Sequence, residues 1–295
     1  MSFDNAYESL LEGDQDAHWA FGTGFHESLA GVDRALPSTV DTAELAAYCL
    51  MLGDDALILS QRLAQWCSRA PELEEDVALA NIALDLLGQA RLLLARAGEA
   101  EGRGRDEDAL AYLRDEGEFR NVHLVEADCG DDFAATIAQL LVFSTYRLAL
   151  FTRLAGSADP VVAAIAAKGV KELAYHRDHA AQWVLRLGDG TDYSRERMLA
   201  GLARVWPFVE ELFAPHRIEL GLAEAGVAVD PAELRSEVDG VLDTVLSAAG
   251  LTRPEARPLA TVAGRAGRDG VHTEAMGYLL AEMQHIARSL PGAVW

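Results

Sequence analysis

The chain has 295 residues, with 47 acidic side chains against 25 basic ones, so its formal net charge at pH 7 is −22. This balance argues against nucleic-acid binding and against docking to an anionic membrane surface, because both need clusters of Lys and Arg. Lys168 and Lys171 are the only lysines, and the arginines are scattered. Half of the residues are hydrophobic, which is too many for a disordered chain and enough to bury a large core.

The cysteine pattern and the first residues bear on the cellular compartment. Cys49, Cys67 and Cys129 are odd in number and form no Cys-x-x-Cys pair, which argues against a disulfide framework or a zinc site. Residues 1–13 are acidic and lack the basic-then-apolar pattern of a signal peptide. No uninterrupted apolar run reaches the roughly 18 residues that span a bilayer. We expect a soluble, cytoplasmic protein.

Residues 1–40 differ in composition from the rest of the chain. They combine glycines with aromatic side chains, namely Gly13, Gly22, Gly24, Gly31, Trp19, Phe21 and Phe25. We predict an irregular N-terminal arm, which either packs through its aromatics on another surface or forms a disordered tail. Residues 41–295 are predicted to form one helical domain.

Helical patterns begin at residue 41. Asp41 or Thr42 is suited to cap a first helix, and Glu44 supports that start. A second apolar segment begins near Pro71, which suits a first-turn position, and is predicted to end near Gly98. Apolar residues recur at helical spacing through both segments. The two segments are therefore predicted to form a pair of long helices.

A second helical pair and several later helices follow a charged connector. The third long segment begins after Asp131 or Asp132, and the fourth begins at Pro160 and stops at Gly188. Further helices are predicted over residues 109–119, 194–224, 231–249 and 274–290, with a loop over 253–270. Strand signals are weak. We predict an all-α protein with a four-helix bundle core and additional C-terminal helices.

Bundles of this size often hold a di-metal carboxylate centre, for which two helices each supply a Glu and two each supply Glu-x-x-His. The first segment offers Asp54, Asp55 and Gln61, and we interpret the two aspartates as charges near the helix start that favour the helix dipole. The second segment, over Asp85–Gln89, contains no Glu-x-x-His, and the third has no Asp, Glu or His over Phe133–Gly156. The chain therefore has the helix lengths of a di-metal bundle but lacks most of the ligands.

The fourth segment leaves two alternatives open. Glu172 and His176 are four residues apart and share a helix face with His179 nearby. We expect these side chains to form a hydrogen-bonded polar cluster with Arg177 or another arginine. The alternative is an autonomous metal-binding or metalloenzyme bundle that uses Glu172, His176 and His179 with help from another helix.

Other catalytic patterns are weak or missing. The chain has no Gly-x-Gly-x-x-Gly, phosphate-binding loop or Gly-x-Ser-x-Gly motif. Thr273 is predicted to cap the last helix, with Glu274 in its first turn. Trp206-Pro207-Phe208 is interpreted as a buried aromatic kink or a subunit contact. The core stripe of the last helix is predicted to comprise Met276, Leu279, Leu280, Met283 and Ile286.

Several motifs together resemble one family. They are Leu52-Gly53-Asp54-Asp55-Ala56-Leu57, Ala78 to Arg91, Arg114-Asp115-Glu116, Phe119-Arg120-Asn121, Leu124-Val125-Glu126, Lys171-Glu172, Tyr175-His176, Leu187 to Thr191, His272-Thr273-Glu274 and Leu280 to Gln284. Over about residues 45 to 295 the chain resembles the PaaC family, the structural subunits of the bacterial multicomponent ring-1,2-phenylacetyl-CoA epoxidase.

The resemblance implies a ferritin-like fold and a place in phenylacetate catabolism. In such complexes a homologous sister subunit of the PaaA type carries the di-iron centre, binds phenylacetyl-CoA and inserts one oxygen atom. Electrons come from NADPH through a reductase with flavin and iron–sulfur centres. The resemblance implies that this chain is a non-catalytic subunit of a mono-oxygenase, with no cofactor and no catalytic residue of its own.

The metal ligands of the sister subunit can be carried over one position at a time. They fall on Gln61, Leu86, Gln89, Phe143, Leu173 and His176. Only His176 retains a ligand identity. Glu172 is one residue out of register, so its Cβ is rotated by about 100° around the helix. The resemblance therefore implies a degenerate di-iron site that binds no metal.

Overall fold

The computed structural model describes residues 29, 31–291 and 293. Within these residues the regular structure is helical, and the one β-type pairing is an isolated antiparallel bridge between Val262 and Arg265. Most of the predicted arm, residues 1–28 and 30, lies outside the described residues. The α-helices are α1 (Thr42–Ala64), α2 (Leu73–Glu101), α3 (Glu107–Tyr112), α4 (His123–Glu126), α5 (Phe133–Leu154), α6 (Pro160–Gly188), α7 (Asp192–Val205), α8 (Arg217–Glu224), α9 (Arg235–Ala248) and α10 (Glu274–Ser289).

Four long helices form the core, as two antiparallel pairs. α1 packs along α2, and α5 packs along α6. Between the pairs, α2 contacts α6. Residues 102–132 form the long connection from the first pair to the second, and they contain the short helices α3 and α4. The predicted four-helix bundle core is confirmed.

Side-chain caps determine where three of these helices begin. Asp41 accepts a hydrogen bond from the backbone N–H of Ala43 at 2.8 Å, and Asp132 accepts one from Ala134 at 3.1 Å. Asp159 accepts two, and Pro160 occupies the first turn of α6. These caps satisfy amide groups that have no partner within the helix.

α2 extends beyond Gly98, where it was predicted to end, and stops after Glu101. Gly102, with a φ of +65°, supplies the left-handed residue that closes the helix. Gly98 lies inside the helix because the chain returns close to it. A Cβ at this position would lie 2.2 Å from the carbonyl oxygen of Arg105. The glycine therefore marks a close approach rather than a helix end.

The helix predicted over residues 194–224 is broken, so that prediction is wrong. α7 ends at Val205, and 3-10 turns at Trp206–Phe208 and Glu210–Phe213 precede α8. Pro207 has no N–H for a helical hydrogen bond and its ring clashes with the preceding turn. Trp206, Pro207 and Phe208 are half-buried. The predicted kink is present, although its aromatic residues are only partly covered.

The last helix, α10, buries a shorter apolar stripe than predicted. Met276, Leu279 and Leu280 are buried, but Ile286 is 58% exposed. Gln284 is buried instead and donates to the carbonyl oxygens of Ala111 and Arg114, at 3.1 and 3.0 Å. Thr273 holds the N-cap position but its side chain makes no capping hydrogen bond.

Two of the core helices are long and apolar enough to cross a membrane by length and composition alone. They differ in how much of their apolar surface the protein covers. In the most apolar 18-residue window, 94% of α5 is buried, against 44% of α2. α5 is therefore the central core helix, whereas α2 keeps an apolar surface outside the core.

Candidate functional site in the bundle interior

Most of the six positions that the resemblance assigns to metal ligands lie inside the bundle. Leu86, Phe143, Leu173 and His176 have no exposed surface, and Gln89 is 3% exposed. Gln61 is half-buried. Three of the positions therefore place hydrocarbon in the core, where a metal centre needs oxygen and nitrogen ligands.

A guanidinium group occupies the interior close to these positions. Arg147 is fully buried and lies one helical turn after Phe143. Its guanidinium stacks on the ring of Phe151 at 4.3 Å and donates to the carbonyl oxygen of Leu52 at 2.6 Å. A further nitrogen, Nη1, lies 3.6 Å from a carboxylate oxygen of Asp55. Burial lowers the pKa of Arg147 to about 10, against the opposing charge of Asp55, so the side chain stays cationic at neutral pH.

These groups do not fit a di-iron centre. Such a centre needs several carboxylates and two imidazoles that converge on two cations. The interior instead offers Leu86, Phe143 and Leu173, together with the cation of Arg147. A second cation beside that guanidinium is electrostatically disfavoured. The part of the chain that the structure describes contains no group of three or more His, Cys, Asp or Glu side chains arranged to hold a metal ion.

The polar residues of α6 find partners on α2. Gln89 donates to Glu172 at 3.0 Å, and burial raises the pKa of the Glu172 carboxyl group. His176 Nε2 lies 3.0 Å from an oxygen of Asp85. His179 Nε2 lies 3.1 Å from an oxygen of Glu75. The three α6 residues thus have separate partners along the helix pair.

This arrangement corrects the expected polar cluster. Glu172, His176 and His179 were predicted to bond to Arg177 or another arginine. Their partners are an amide and two carboxylates on α2. The sequence could not show this, because the partners lie about 80 to 100 residues away along the chain. The contacts join the two helical pairs along one seam.

Asp54 and Asp55 are not near the start of a helix, so the dipole interpretation is wrong. Both lie in the middle of α1 and have no exposed surface. Both oxygens of Asp54 accept from the guanidinium of Arg114, and one also accepts from the backbone N–H of Arg120 at 2.9 Å. Asp54 therefore fixes the connection between the two helical pairs onto α1.

Asp55 fixes a more distant part of the chain. Its two oxygens accept from Arg268 Nη1 and Nη2, at 2.9 and 2.8 Å. One oxygen also accepts from the backbone N–H of Val122 at 3.0 Å. Arg268 donates further to the carbonyl oxygens of Met51 and Arg120. Asp55 therefore lies between two buried cations, Arg268 and Arg147.

Glu126 and Glu211 extend this buried network. Glu126 accepts from Asn121 at 2.9 Å and from the N–H of Thr273 at 2.6 Å, and its oxygen lies 2.7 Å from His272 Nδ1. Burial alone would raise the pKa of Glu126, but the bonds to His272 and Thr273 outweigh burial and lower it. Glu211 contacts the ring of His123 at 2.8 Å.

The network brings together several of the motifs that carry the family resemblance, although they are far apart in the sequence. The segments around Arg114, Arg120, Glu126 and His272 meet beside Asp54 and Asp55, in the middle of α1. They attach the connection after α2 and the C-terminal segment to the bundle. The sequence pattern did not indicate the roles of Arg147, Arg268 and Glu211 in this network. The available signal was a pair of aspartates inside an apolar helix, which needs buried cations nearby.

The fold and interior define the class of protein: a ferritin-like helical bundle whose described interior combines hydrocarbon side chains with arginine–carboxylate pairs and a histidine–glutamate pair. The chain belongs to the family described as phenylacetic acid catabolic protein, whose model matches residues 32–295. It is also similar to the C subunit of the 1,2-phenylacetyl-CoA epoxidase of Escherichia coli (strain K12). The two are 48% identical over 252 residues, which cover 85% of this chain and 99% of that protein. The predicted family resemblance is confirmed.

Proposed function

We propose that this chain is a non-catalytic structural subunit of a phenylacetyl-CoA 1,2-epoxidase, a mono-oxygenase complex of phenylacetate catabolism. The observation that carries the proposal is the 48% identity across nearly the whole length of the Escherichia coli epoxidase subunit. The interior supports the structural role, because its residues stabilise a bundle and offer a metal pair no suitable ligands.

The proposal assigns the chemistry to other subunits. A sister subunit of the PaaA type carries the di-iron centre, and NADPH supplies electrons through a reductase with flavin and iron–sulfur centres. This chain has no cofactor, catalytic residue or metal ligand, and Gln61, Leu86, Gln89, Phe143, Leu173 and His176 are degenerate ligand positions. The complex acts in the cytoplasm without binding nucleic acid or membrane. The proposed division of the chain is an irregular N-terminal arm over residues 1–40 and a helical domain over residues 41–295.

Among the described residues, no contact favours the alternative of an autonomous metal-binding bundle. Such a bundle requires Glu172, His176 and His179 to converge on one point. Each of them instead contacts a different residue of α2. A metal ion at Glu172 or His176 would have to displace an existing hydrogen-bond partner. Burial lowers the pKa of His179 to about 4, so its ring is neutral beside Glu75 at pH 7.

Reconstitution tests the proposal. The chain is co-expressed with the sister subunit that carries Glu-x-x-His pairs, and the purified pair is assayed with the reductase and phenylacetyl-CoA. We expect a stable complex whose iron belongs to the sister, and epoxidation that falls strongly when this chain is omitted. Near-stoichiometric iron or manganese in this chain purified alone contradicts the proposal, as does full activity of the sister without it.

A further inference from the structure

The outward face of α2 is apolar along its length. Leu73, Val77 and Leu84 are 75%, 53% and 36% exposed. Helical geometry places them on one stripe with Ala80, Leu87, Gly88 and Ala95, which are half-buried. Arg91, paired with Glu107, is the charged member of this stripe. A soluble protein rarely leaves such a long apolar surface uncovered unless something binds there.

The adjacent helix gives this surface a charged border. α6 lies beside α2, and its exposed side carries both lysines of the chain, Lys168 and Lys171, together with Arg186. Lys168 contacts Glu172 at 3.9 Å and is 52% exposed. The same side also carries the exposed carboxylate of Asp178, so its cations outnumber its exposed carboxylates in a chain whose net charge is −22. A matching partner presents acidic side chains beside α6.

The dimensions suit a stable contact. A helix of 29 residues is about 43 Å long. Two helices packed about 10 Å apart present a face of roughly 800 to 900 Å². A stable interface buries about 800 Å² on each partner. The outward face of α2 and α6 is thus large enough for one.

We propose that the outward face of α2 and α6 is the docking surface for a different helical subunit. That subunit lays an apolar helix along the α2 stripe and places acidic side chains beside Lys168 and Lys171. A second copy fits poorly, because two chains of charge −22 repel each other. An anionic membrane fits poorly too, because Glu72, Glu74 and Asp76 border the start of the stripe. The inference rests on the proposed function, which supplies the sister subunit as the partner.

Charge insertion into the stripe tests the surface. V77E and L84E are each combined with the sister subunit, and the dissociation constant is measured by titration. We expect each to weaken binding by about 30-fold or more, the effect of losing one strong interface residue. The matched control is V262E, because Val262 is 63% exposed on the loop after α9, outside α2 and α6. It should bind like the unmodified chain, and all three variants should keep its thermal midpoint.

The lysines offer a second and independent measurement. Amine acetylation of the complete chain is followed by mass spectrometry with and without the sister subunit. A third lysine, introduced by R257K on the exposed loop after α9, reports on a region outside the surface. Binding should slow the modification of Lys168 and Lys171 and leave the modification of the introduced lysine unchanged. Equal effects of binding at all three positions overturn the proposal.

The outcomes separate this inference from the proposed function. If the unmodified chain does not bind the sister subunit, both fail. If it binds, and V77E and L84E bind equally well, only the docking surface is wrong. A dimer of this chain that V77E disperses identifies a second copy as the occupant and overturns the proposal. Flotation with vesicles that contain phosphatidylserine, abolished by V77E, identifies a membrane and overturns it too.

Discussion

Replacing Asp55 with Asn tests the buried charge network most sharply. Asn has nearly the same shape, and its oxygen can still accept from the N–H of Val122. The substitution removes the negative charge between Arg268 and Arg147, which are both buried. Removing one partner of a buried ion pair costs about 3–5 kcal/mol, because the remaining charge is left uncompensated. The free energy of unfolding should fall by about that amount.

The assay is thermal and urea unfolding followed by circular dichroism. A loss of about 3–5 kcal/mol corresponds to a fall in Tm on the order of 10 °C for a chain of this size. The control is Asp131→Asn. Asp131 pairs with Arg69, and both side chains are more than half exposed, so the change should be within about 1 kcal/mol.

A double-mutant cycle assigns the effect to the charges. When Arg268 is already replaced by Met, Asp55→Asn should lower the free energy of unfolding by less than it does in the unmodified chain. In that background only Arg147 is left without its carboxylate partner. The reasoning is refuted if Asp55→Asn melts within a degree or two of the unmodified chain. It is also refuted if the cost is the same in both backgrounds.

Three further predictions concern pH, backbone packing and a helix cap. Burial lowers the pKa of His123, but the hydrogen bond and charge of Glu211 outweigh burial and raise it. The stability that His123→Gln removes should therefore be greatest below pH 6.5 and fade as the pH rises above it. Urea unfolding measured across this pH range tests the prediction. Gly98→Ala should destabilise the fold by more than about 1 kcal/mol, because the new Cβ would lie 2.2 Å from a carbonyl oxygen. Gly240 lies in open space within a helix, so Gly240→Ala should stabilise the fold by about 0.5–1 kcal/mol. Equal melting temperatures of the two variants would contradict this prediction. Asp159→Ala should lose about 3–5 kcal/mol or more, since it removes both a cap and the buried partner of Arg96; a loss near 1 kcal/mol in urea unfolding would show that only the cap matters.

The starts of α1, α5 and α6 were predictable because they depend on local interactions. Asp132 precedes a long apolar segment, and Pro160 occupies the first turn of α6 behind its cap Asp159. Caps and periodicity act over a few residues, so the sequence alone displays them. The break at Pro207 was visible as well, but the prediction carried one helix through it. The turns that replace it depend on packing around Leu212 and Phe213.

The buried charges were not predictable, because their partners are distant in the chain. Asp54 pairs with a residue 60 positions away, and Asp55 with one 213 positions away. No local pattern distinguishes an aspartate in such a pair from one on the helix surface. The sequence pattern was interpreted as placing these two aspartates near a helix start, but they lie in the middle of α1. Only the tertiary structure brings the arginines to them.

The candidate site shows the same division. α5, the third long helix, has no Asp, Glu or His between Phe133 and Leu154. The shortage of candidate metal ligands was therefore visible in the sequence. That Arg147 brings a cation into this interior depends on its packing against Phe151 and Leu52. The sequence thus indicated a shortage of candidate ligands, and the structure places hydrocarbon side chains and a guanidinium in this interior.

The most direct test of the central claim is the rate of NADPH-dependent phenylacetyl-CoA epoxidation by the sister subunit and reductase, measured with and without this chain. The proposed function predicts a high rate with the chain present and a strong loss without it. It also predicts an unchanged rate when His176, which the resemblance gives as the one retained ligand identity, is replaced by Asn. A rate that does not depend on the chain, or that collapses in His176→Asn while the complex stays intact, would contradict it.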